Sequence, residues 1–199
     1  MLMIQKLESM VPDIIESIRN DVWDSLIINR RKPHTYRLFR QFGKHRVCLH
    51  KFEPCDESDA FPHPHPWPGA FLVLAGEYRQ FVGISTSLNT LPGPYYQEIL
   101  RPYSIYEITD RNIWHIVQPI KTTYTVMLNG EPWENPHDEV RTTKGKDLEN
   151  MTPVDLENHL KIFDNLLCDF LAVQGGTNGI TSGATNDVNR SGNDFSHTP

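Results

Sequence analysis

The chain has 199 residues, a formal net charge of −6, 15 prolines and 10% aromatic residues, a mix that favours one strand-rich globular domain with extensions. The acidic balance argues against nucleic-acid binding, and no apolar run approaches the roughly 20 residues of a membrane span. Three cysteines without a Cys-x-x-Cys pair argue against a disulfide framework or a zinc ribbon, and the lack of a signal-peptide pattern predicts a cytoplasmic protein.

Segment 1–33 is predicted to be an N-terminal helical extension. Apolar residues recur at three- and four-residue steps over 11–29, which is the period of a helix that buries one face. Pro12 fits the first turn of this helix, and Lys32 ends it because a residue before proline disfavours helical backbone. We expect the helix to pack on the outside of a sheet.

Segment 34–134 is predicted to be all-β. Short apolar or alternating runs are separated by turn signals such as the Asn129-Gly130 pair. Many short strands at close spacing are typical of a sandwich or barrel. The predicted strands cover 36–40, 47–52, 70–75, 81–84, 97–100, 104–108, 113–118 and 124–128.

A proline-rich strand carries two histidines in the middle of this segment. Proline occupies every even position from Pro62 to Pro68, and the odd positions hold His63, His65 and Trp67. Proline cannot donate to a sheet ladder, so one edge of the strand is unpaired and the strand lies at a sheet edge or barrel mouth. Residues i and i+2 of a strand share a face, so the two imidazoles project together and Trp67 is placed to wall the same pocket. Neutral imidazole pairs suit iron, zinc, copper or nickel.

Segment 135–174 is predicted to be a linker followed by a C-terminal helix. Thr152 has the character of a helix cap and Pro153 of a first helical residue, and an apolar face then continues to about Gln174. Segment 175–199 consists mostly of Gly, Thr, Ser, Asn and Asp, and its composition predicts a disordered tail.

Basic residues dominate 25–52, where no acidic residue occurs. One interpretation is a solvated edge whose charges keep strands from aggregating. The other is a subsite for an anionic ligand, with Arg37, Arg40 or Arg46 guiding it. Both interpretations stay open at this point.

Segment 46–133 resembles the cupin superfamily. The first cupin motif has two histidines separated by one residue and a later glycine, matched by His63, His65 and Gly76, and the histidine of the second motif is matched by His115. The His-x-His-Pro-Trp strand is similar to that of a group of small cupins of bacteria and phages. The resemblance implies a double-stranded β-helix barrel, or jelly roll, with helices flanking it at both ends, and cupins commonly form homodimers.

One departure from the cupin pattern concerns the metal ligands. Cupins usually supply a glutamate where this chain has Gly69 or Ala70, and no carboxylate lies between His65 and Gly76. The implied ligand set is therefore the three histidines alone. This set resembles that of the cupin thiol dioxygenases, which hold Fe(II), although three histidines elsewhere hold zinc and activate water. We expect a divalent metal, with Fe(II) first and zinc, nickel or manganese as alternatives.

For several other side chains the sequence allows both a functional and a structural role. Glu77 is a candidate acid–base group or a solvated turn carboxylate, and Tyr78 lines the pocket or belongs to the core. His50 is a substrate contact or a structural histidine. Substrate binding is further assigned to Trp67, Arg37 and Arg46.

Three functions are compatible with these residues. The first is a mononuclear non-haem Fe(II) oxygenase that acts on a small molecule. The second is a non-catalytic small-molecule binder that uses the same barrel. The third is a metal-independent sugar isomerase or epimerase, in which a carboxylate such as Glu77 orients a histidine base.

Overall fold

The computed structural model describes residues 2–86, 92–93, 95–134 and 148–178. Within them lie two α-helices, one short 3-10 helix (Glu57–Asp59) and ten strands. The α-helices are α1 (Met3–Asn20) and α2 (Pro153–Asn178). The strands are β1 (Asp24–Ile28), β2 (Thr35–Phe42), β3 (His45–Phe52), β4 (His63–Pro64), β5 (Gly69–Ala75), β6 (Tyr78–Ile84), β7 (Tyr96–Leu100), β8 (Ile105–Ile108), β9 (Ile113–Pro119) and β10 (Thr123–Asn129).

The predicted helix over 11–29 is wrong at both ends. Helix α1 begins at Met3, so Pro12 lies inside it rather than in its first turn, and it ends at Asn20. Residues Asp24–Ile28 form a strand instead, because their backbone groups pair with β2 over five residues. The pairing of β1 with β2 overrides the apolar spacing that suggested a longer helix. The N-terminal extension was expected to pack on the outside of the sheet as a helix, but its strand β1 is part of the sheet.

The strand order confirms the predicted jelly roll. One sheet has the order β1-β2-β3-β10-β5-β8 and the other has the order β4-β9-β6-β7. From β3 to β10 the chain therefore passes repeatedly between the sheets, and all the pairs described are antiparallel. This arrangement is an all-β jelly roll, or double-stranded β-helix, extended here by β1 and β2 and flanked by two helices.

The largest apolar core lies between the helices and the outer face of the six-stranded sheet. Helix α1 buries Leu7, Val11 and Ile14 completely, and α2 does the same with Phe163 and Leu167. The six-stranded sheet contributes the alternate residues Leu38, Val47, Leu49, Leu72, Val126 and Leu128 to this core. The helices thus stabilise the sheet from behind and leave its other face free to line the barrel interior.

The ends of the chain match the predictions in part. Helix α2 begins at the expected Pro153, and Thr152 caps it through a hydrogen bond from the backbone N–H of Asp155 to the Thr152 hydroxyl (3.1 Å). Residues 175–178 continue the helix, whereas the remainder of the predicted tail and linker residues 135–147 lie outside the described residues. Neither helix is long and apolar enough to cross a lipid bilayer.

Gly76 holds the turn between β5 and β6. Its φ of +82° lies in the left-handed region, and a Cβ atom there would overlap the carbonyl oxygen of Thr122 and lie 2.7 Å from Cα of Thr123. Gly43 also has a positive φ, +58°, but a Cβ at that position meets no described atom within 4 Å. Both glycines therefore have a backbone conformation that disfavours other residues, and Gly76 in addition has no space for a Cβ atom.

We expect Gly76→Ala to lower the free energy of unfolding by about 3 kcal/mol or more, because it combines a steric clash with left-handed backbone strain. Gly43→Ala is the matched control and should cost about 1–2 kcal/mol from backbone strain alone. Urea unfolding of both variants measures the difference. Equal losses would contradict the close packing of this turn.

Candidate metal centre

Three histidine side chains meet inside the barrel. His63 lies on β4 and His115 on β9, and the two residues are directly paired across these antiparallel strands. His65 follows two residues after His63, as the chain leaves β4. The strand β4 lies at the edge of its sheet, which confirms the placement predicted from the alternating prolines. Pairing of β4 with β9 therefore places His63 opposite His115, and His65 follows directly after β4.

The ε-nitrogens of the three rings converge. Nε2 of His115 lies 2.8 Å from Nε2 of His65 and 3.1 Å from Nε2 of His63. Each Nε2 carries either one proton or one lone pair in its ring plane, so a single hydrogen bond cannot satisfy both contacts. Nδ1 of His63 lies 3.3 Å from the carbonyl oxygen of Phe61, and a proton donated there leaves the Nε2 lone pair free to act as a ligand.

These distances fit a shared metal ion. Two imidazole nitrogens bound at about 2.1 Å from one ion, at right angles to each other, lie about 3 Å apart. The observed 2.8 and 3.1 Å separations agree with that value. The described residues contain one cluster of this kind, formed by the three histidines that the sequence predicted as ligands. They are suited to hold a divalent metal ion of the kind that imidazole prefers.

Burial keeps the imidazoles neutral. It lowers the pKa of His63 below its ordinary value, and it lowers the pKa values of His65 and His115 well below theirs. The positive charge of Arg37 adds to this effect on His63 and His65. Neutral imidazole is the form that binds metal, so the rings are ready to act as ligands at neutral pH.

Gly69 and Ala70 occupy the positions on β5 where the cupin motif would supply a glutamate. Gly69 faces the barrel interior, where a Cβ atom would lie 3.2 Å from Cε of Met127 and 3.4 Å from Phe71. Ala70 points to the opposite side and is fully buried in the core beneath the helices. A side chain at the first position would therefore require its neighbours to shift by a few tenths of an ångström, and one at the second would point away from the histidines.

Arg37 lies beside the histidines, on the interior face of the six-stranded sheet. Its Nε–H donates to Nε2 of His50 at 2.9 Å across the β2–β3 pair. His50 is buried, and burial together with the charge of Arg37 lowers its pKa well below the ordinary value. Among the described residues Arg37 makes no ion pair with a carboxylate. A half-buried guanidinium without a carboxylate partner favours the binding of an anion beside it.

Arg46 lies farther from the histidines than Arg37. Strand register places Arg46 four residues beyond His50 on β3, and its guanidinium stacks over the ring of Trp67 at 4.5 Å. Trp67 packs with Phe71, and both form part of an apolar cluster. A small cavity of about 170 Å³ lies on the outer side, lined in part by Arg46 and Trp67. Arg46 and Trp67 thus stack on each other at the wall of this cavity.

Aromatic rings form the wall next to the histidines. Phe71 contacts His65 edge-on, with ring centroids 5.3 Å apart, and its other side stacks on Tyr106 at 4.6 Å. The hydroxyl of Tyr78 donates to that of Tyr106 at 2.8 Å. Burial raises the pKa values of both tyrosines, so their hydroxyls stay protonated. Tyr78 is therefore a fully packed wall residue that reaches the site through Tyr106.

Glu77 lies at the turn between β5 and β6. Its backbone N–H donates to the hydroxyl of Thr123, and its carboxylate lies 3.5 Å from Nε of Arg101. These contacts are those of a turn residue that helps hold the hairpin. None of the contacts described for Glu77 involves a histidine, so no observation favours its use as an acid–base group.

Trp133 is a site residue that sequence reasoning missed. The segment after β10 runs along the histidine loop, where the Gly130 N–H donates to the carbonyl of Pro68 and the Trp133 N–H to that of Pro66. The indole Nε1–H of Trp133 also donates to the carbonyl of His65 at 3.1 Å. This strap fixes the backbone on which the second histidine stands. Trp133 and His65 are 68 positions apart and meet only when the barrel folds. The sequence therefore contained no local signal for this contact.

Comparison with solved structures finds proteins of similar fold. Hydroxypropylphosphonic acid epoxidase from S. wedmorenis aligns over 53% of this chain with 12% identity and a TM-score of 0.41. An RmlC-like cupin from Shewanella frigidimarina aligns over 55% of this chain and 86% of its own, with 13% identity and a TM-score of 0.41. This chain spans about half the length of the epoxidase, 55%. No protein-family model and no curated protein sequence matches it significantly.

The metal-free protein should lose stability as the pH falls. His50, His65 and His115 have pKa values lowered in the folded state, whereas unfolded histidine titrates at about 6.5. Below that pH the unfolded chain binds protons that the folded state excludes, so stability is complete above about pH 6.5 and falls below it. Urea midpoints between pH 7.5 and 5.5 measure the slope. His50→Gln should reduce the slope, and the exposed His34→Gln should leave it nearly unchanged. A midpoint that is constant or rises on acidification would contradict neutral burial of these rings.

Proposed function

We propose that the protein is a mononuclear non-haem Fe(II) oxygenase that acts on a small anionic organic molecule. The observation that carries the proposal is the convergence of three neutral imidazoles beside Arg37, in a barrel where no described carboxylate contacts any of these groups. Three neutral ligands leave the full charge of a dication in place. That charge and the guanidinium together favour an anionic substrate.

The surroundings of the histidines support oxygen chemistry over metal-assisted hydrolysis. Activation of a water nucleophile by zinc is normally assisted by a general base such as a carboxylate. Aromatic rings contact the histidines here, and no carboxylate among the described residues contacts them directly. Such a wall excludes bulk water and protects a reactive intermediate from side reactions.

The residues around the cluster would have three roles: metal binding, substrate binding and closure of the wall. His63, His65 and His115 would hold the ion, which when bound supplies the redox chemistry that lets dioxygen react with an organic molecule. Arg37 binds the anionic group of the substrate, and His50 holds the guanidinium in place by accepting its Nε–H. The remaining guanidinium N–H groups are then free to bind a carboxylate in bidentate fashion. Phe71 closes the wall behind the histidines.

A thiol-bearing carboxylate is the first substrate to test. The ligand set resembles that of the thiol dioxygenases, and Arg37 supplies a binding group for the carboxylate. The reaction balances without a further reductant, because both atoms of dioxygen enter the product: a thiol and O2 give a sulfinic acid.

We expect the protein loaded anaerobically with Fe(II) to consume oxygen when a small thiol carboxylate is added. His65→Ala should abolish this turnover, because it removes one of the three ligands. An oxygen electrode and mass analysis of the product provide the measurement. Absence of bound metal after anaerobic loading would refute the proposal, and ligand-dependent thermal stabilisation without turnover would identify a non-catalytic binder instead.

Arg37→Gln tests the anionic substrate within the same assay. It should raise KM for the carboxylate about 10- to 100-fold, as expected for the loss of a charge-assisted hydrogen bond. Arg40→Gln is the matched control, because Arg40 lies on the same strand but faces the opposite way and pairs with Asp21. A thiol alcohol of equal length should show no such dependence on Arg37.

A further inference from the structure

Several buried polar atoms have no hydrogen-bond partner among the described residues, and two of them lie on the inner face of the four-stranded sheet. They are Nδ1 of His115 and the side-chain oxygen Oε1 of Gln80. Both residues are 2% exposed. A buried polar atom without a partner costs about 1–3 kcal/mol, so each is expected to have a function or a partner such as an ordered water.

The sheet places these two side chains as diagonal neighbours on one face. In the β6–β9 pair, Val82 lies opposite His115, and Gln80 lies opposite Val117 two residues further along. Alternation along each strand directs Gln80 and His115 to the same side, which is the barrel interior. Diagonal neighbours have Cβ atoms about 7–8 Å apart or somewhat closer, within reach of a long side chain and a ring.

The two atoms are chemically complementary. When Nε2 of His115 acts as a ligand, the ring proton resides on Nδ1, which becomes a donor. The amide oxygen of Gln80 is an acceptor only. Metal-binding histidines almost always donate this second N–H to a carboxylate, a carbonyl or a water.

A carboxylate lies behind the amide. Nε2 of Gln80 donates to Oε1 of Glu98 on β7 at 3.3 Å, and Gln80 and Glu98 are directly paired across the β6–β7 strands. Glu98 is half-buried, and its negative charge contributes to the raised pKa values of Tyr78 and Tyr106. The order from the cluster outward is therefore imidazole, amide, carboxylate.

We propose that Gln80 is a positioning residue that accepts the Nδ1–H of His115, directly or through one water, and is itself held by Glu98. The inference rests on the proposed metal function and deepens it. The negative charge that a cupin glutamate usually brings to the ion is supplied one step further out, through a relay of Glu98, Gln80 and His115. Three histidines without a carboxylate would leave a bound ion an open position for substrate, and Gln80 would still fix the orientation of His115.

Metal affinity tests the relay. Gln80→Met keeps the length and volume of the side chain but removes the acceptor, and Gln97→Met, on the exposed face of β7, is the matched control. Competition with a chromophoric chelator for Co(II) should show affinity 10- to 100-fold weaker in Gln80→Met, as is typical for loss of such a partner. Gln97→Met should stay within twofold of the unaltered protein. If Gln80→Met does not fold, Gln80→Asn keeps the amide but withdraws it by one methylene.

A measurement on the metal-free protein separates this inference from the proposed function. Long-range 15N–1H spectra of the imidazoles, with the His115 signals assigned from His115→Gln, should show the His115 proton on Nδ1 and a shift of that signal in Gln80→Met but not in Gln97→Met. Affinity within twofold in Gln80→Met, together with an unmoved Nδ1 signal, would overturn the relay. If no variant binds metal while the Nδ1 signal still depends on Gln80, the proposed function fails and the hydrogen bond stands.

Discussion

The pairing of β4 with β9 is the contact on which the histidine cluster depends. β4 comprises two residues, and it places His63 directly opposite His115. So short a strand does not hold its own register, and two other features fix it. Prolines limit the backbone conformations of the loop, and the strap that ends in Trp133 binds the carbonyls of His65, Pro66 and Pro68. The ligand geometry is therefore built by the whole barrel rather than by the motif alone.

The charge of the site follows from the residues that face the barrel interior. Gly69 supplies no carboxylate there, and a Cβ atom on it would contact Met127 closely, whereas Arg37 supplies a guanidinium. Burial of a cation and a dication together is costly unless an anion accompanies them. In the proposed function the substrate supplies that anion, and in the proposed relay Glu98 compensates part of the remaining charge. An anionic substrate and an open position on a bound ion would then both follow from a ligand set of three neutral histidines.

Much of the site was predictable because it depends on short-range rules. The alternation of a strand placed His63 and His65 on one face, the prolines placed that strand at an edge, and the structure confirms both. The motif resemblance supplied His115 and the jelly roll. The N-terminal helix was wrong because the apolar residues of Asp24–Ile28 fit a helical period and a strand equally well, and only pairing with β2 decides between them. The contacts Arg37–His50 and Gln80–Glu98 join different strands, so they required the sheet register, and the contact of Trp133 with His65 joins two loop segments that only the folded barrel brings together.

Elemental analysis of protein purified without a polyhistidine tag, beside the His63→Ala and His115→Ala variants, tests the metal centre most directly. We expect about one equivalent of a transition metal per chain after loading, and a loss of that metal in both variants while the fold is retained. Metal content that is absent in the unaltered protein, or unchanged in the two variants, would contradict this expectation.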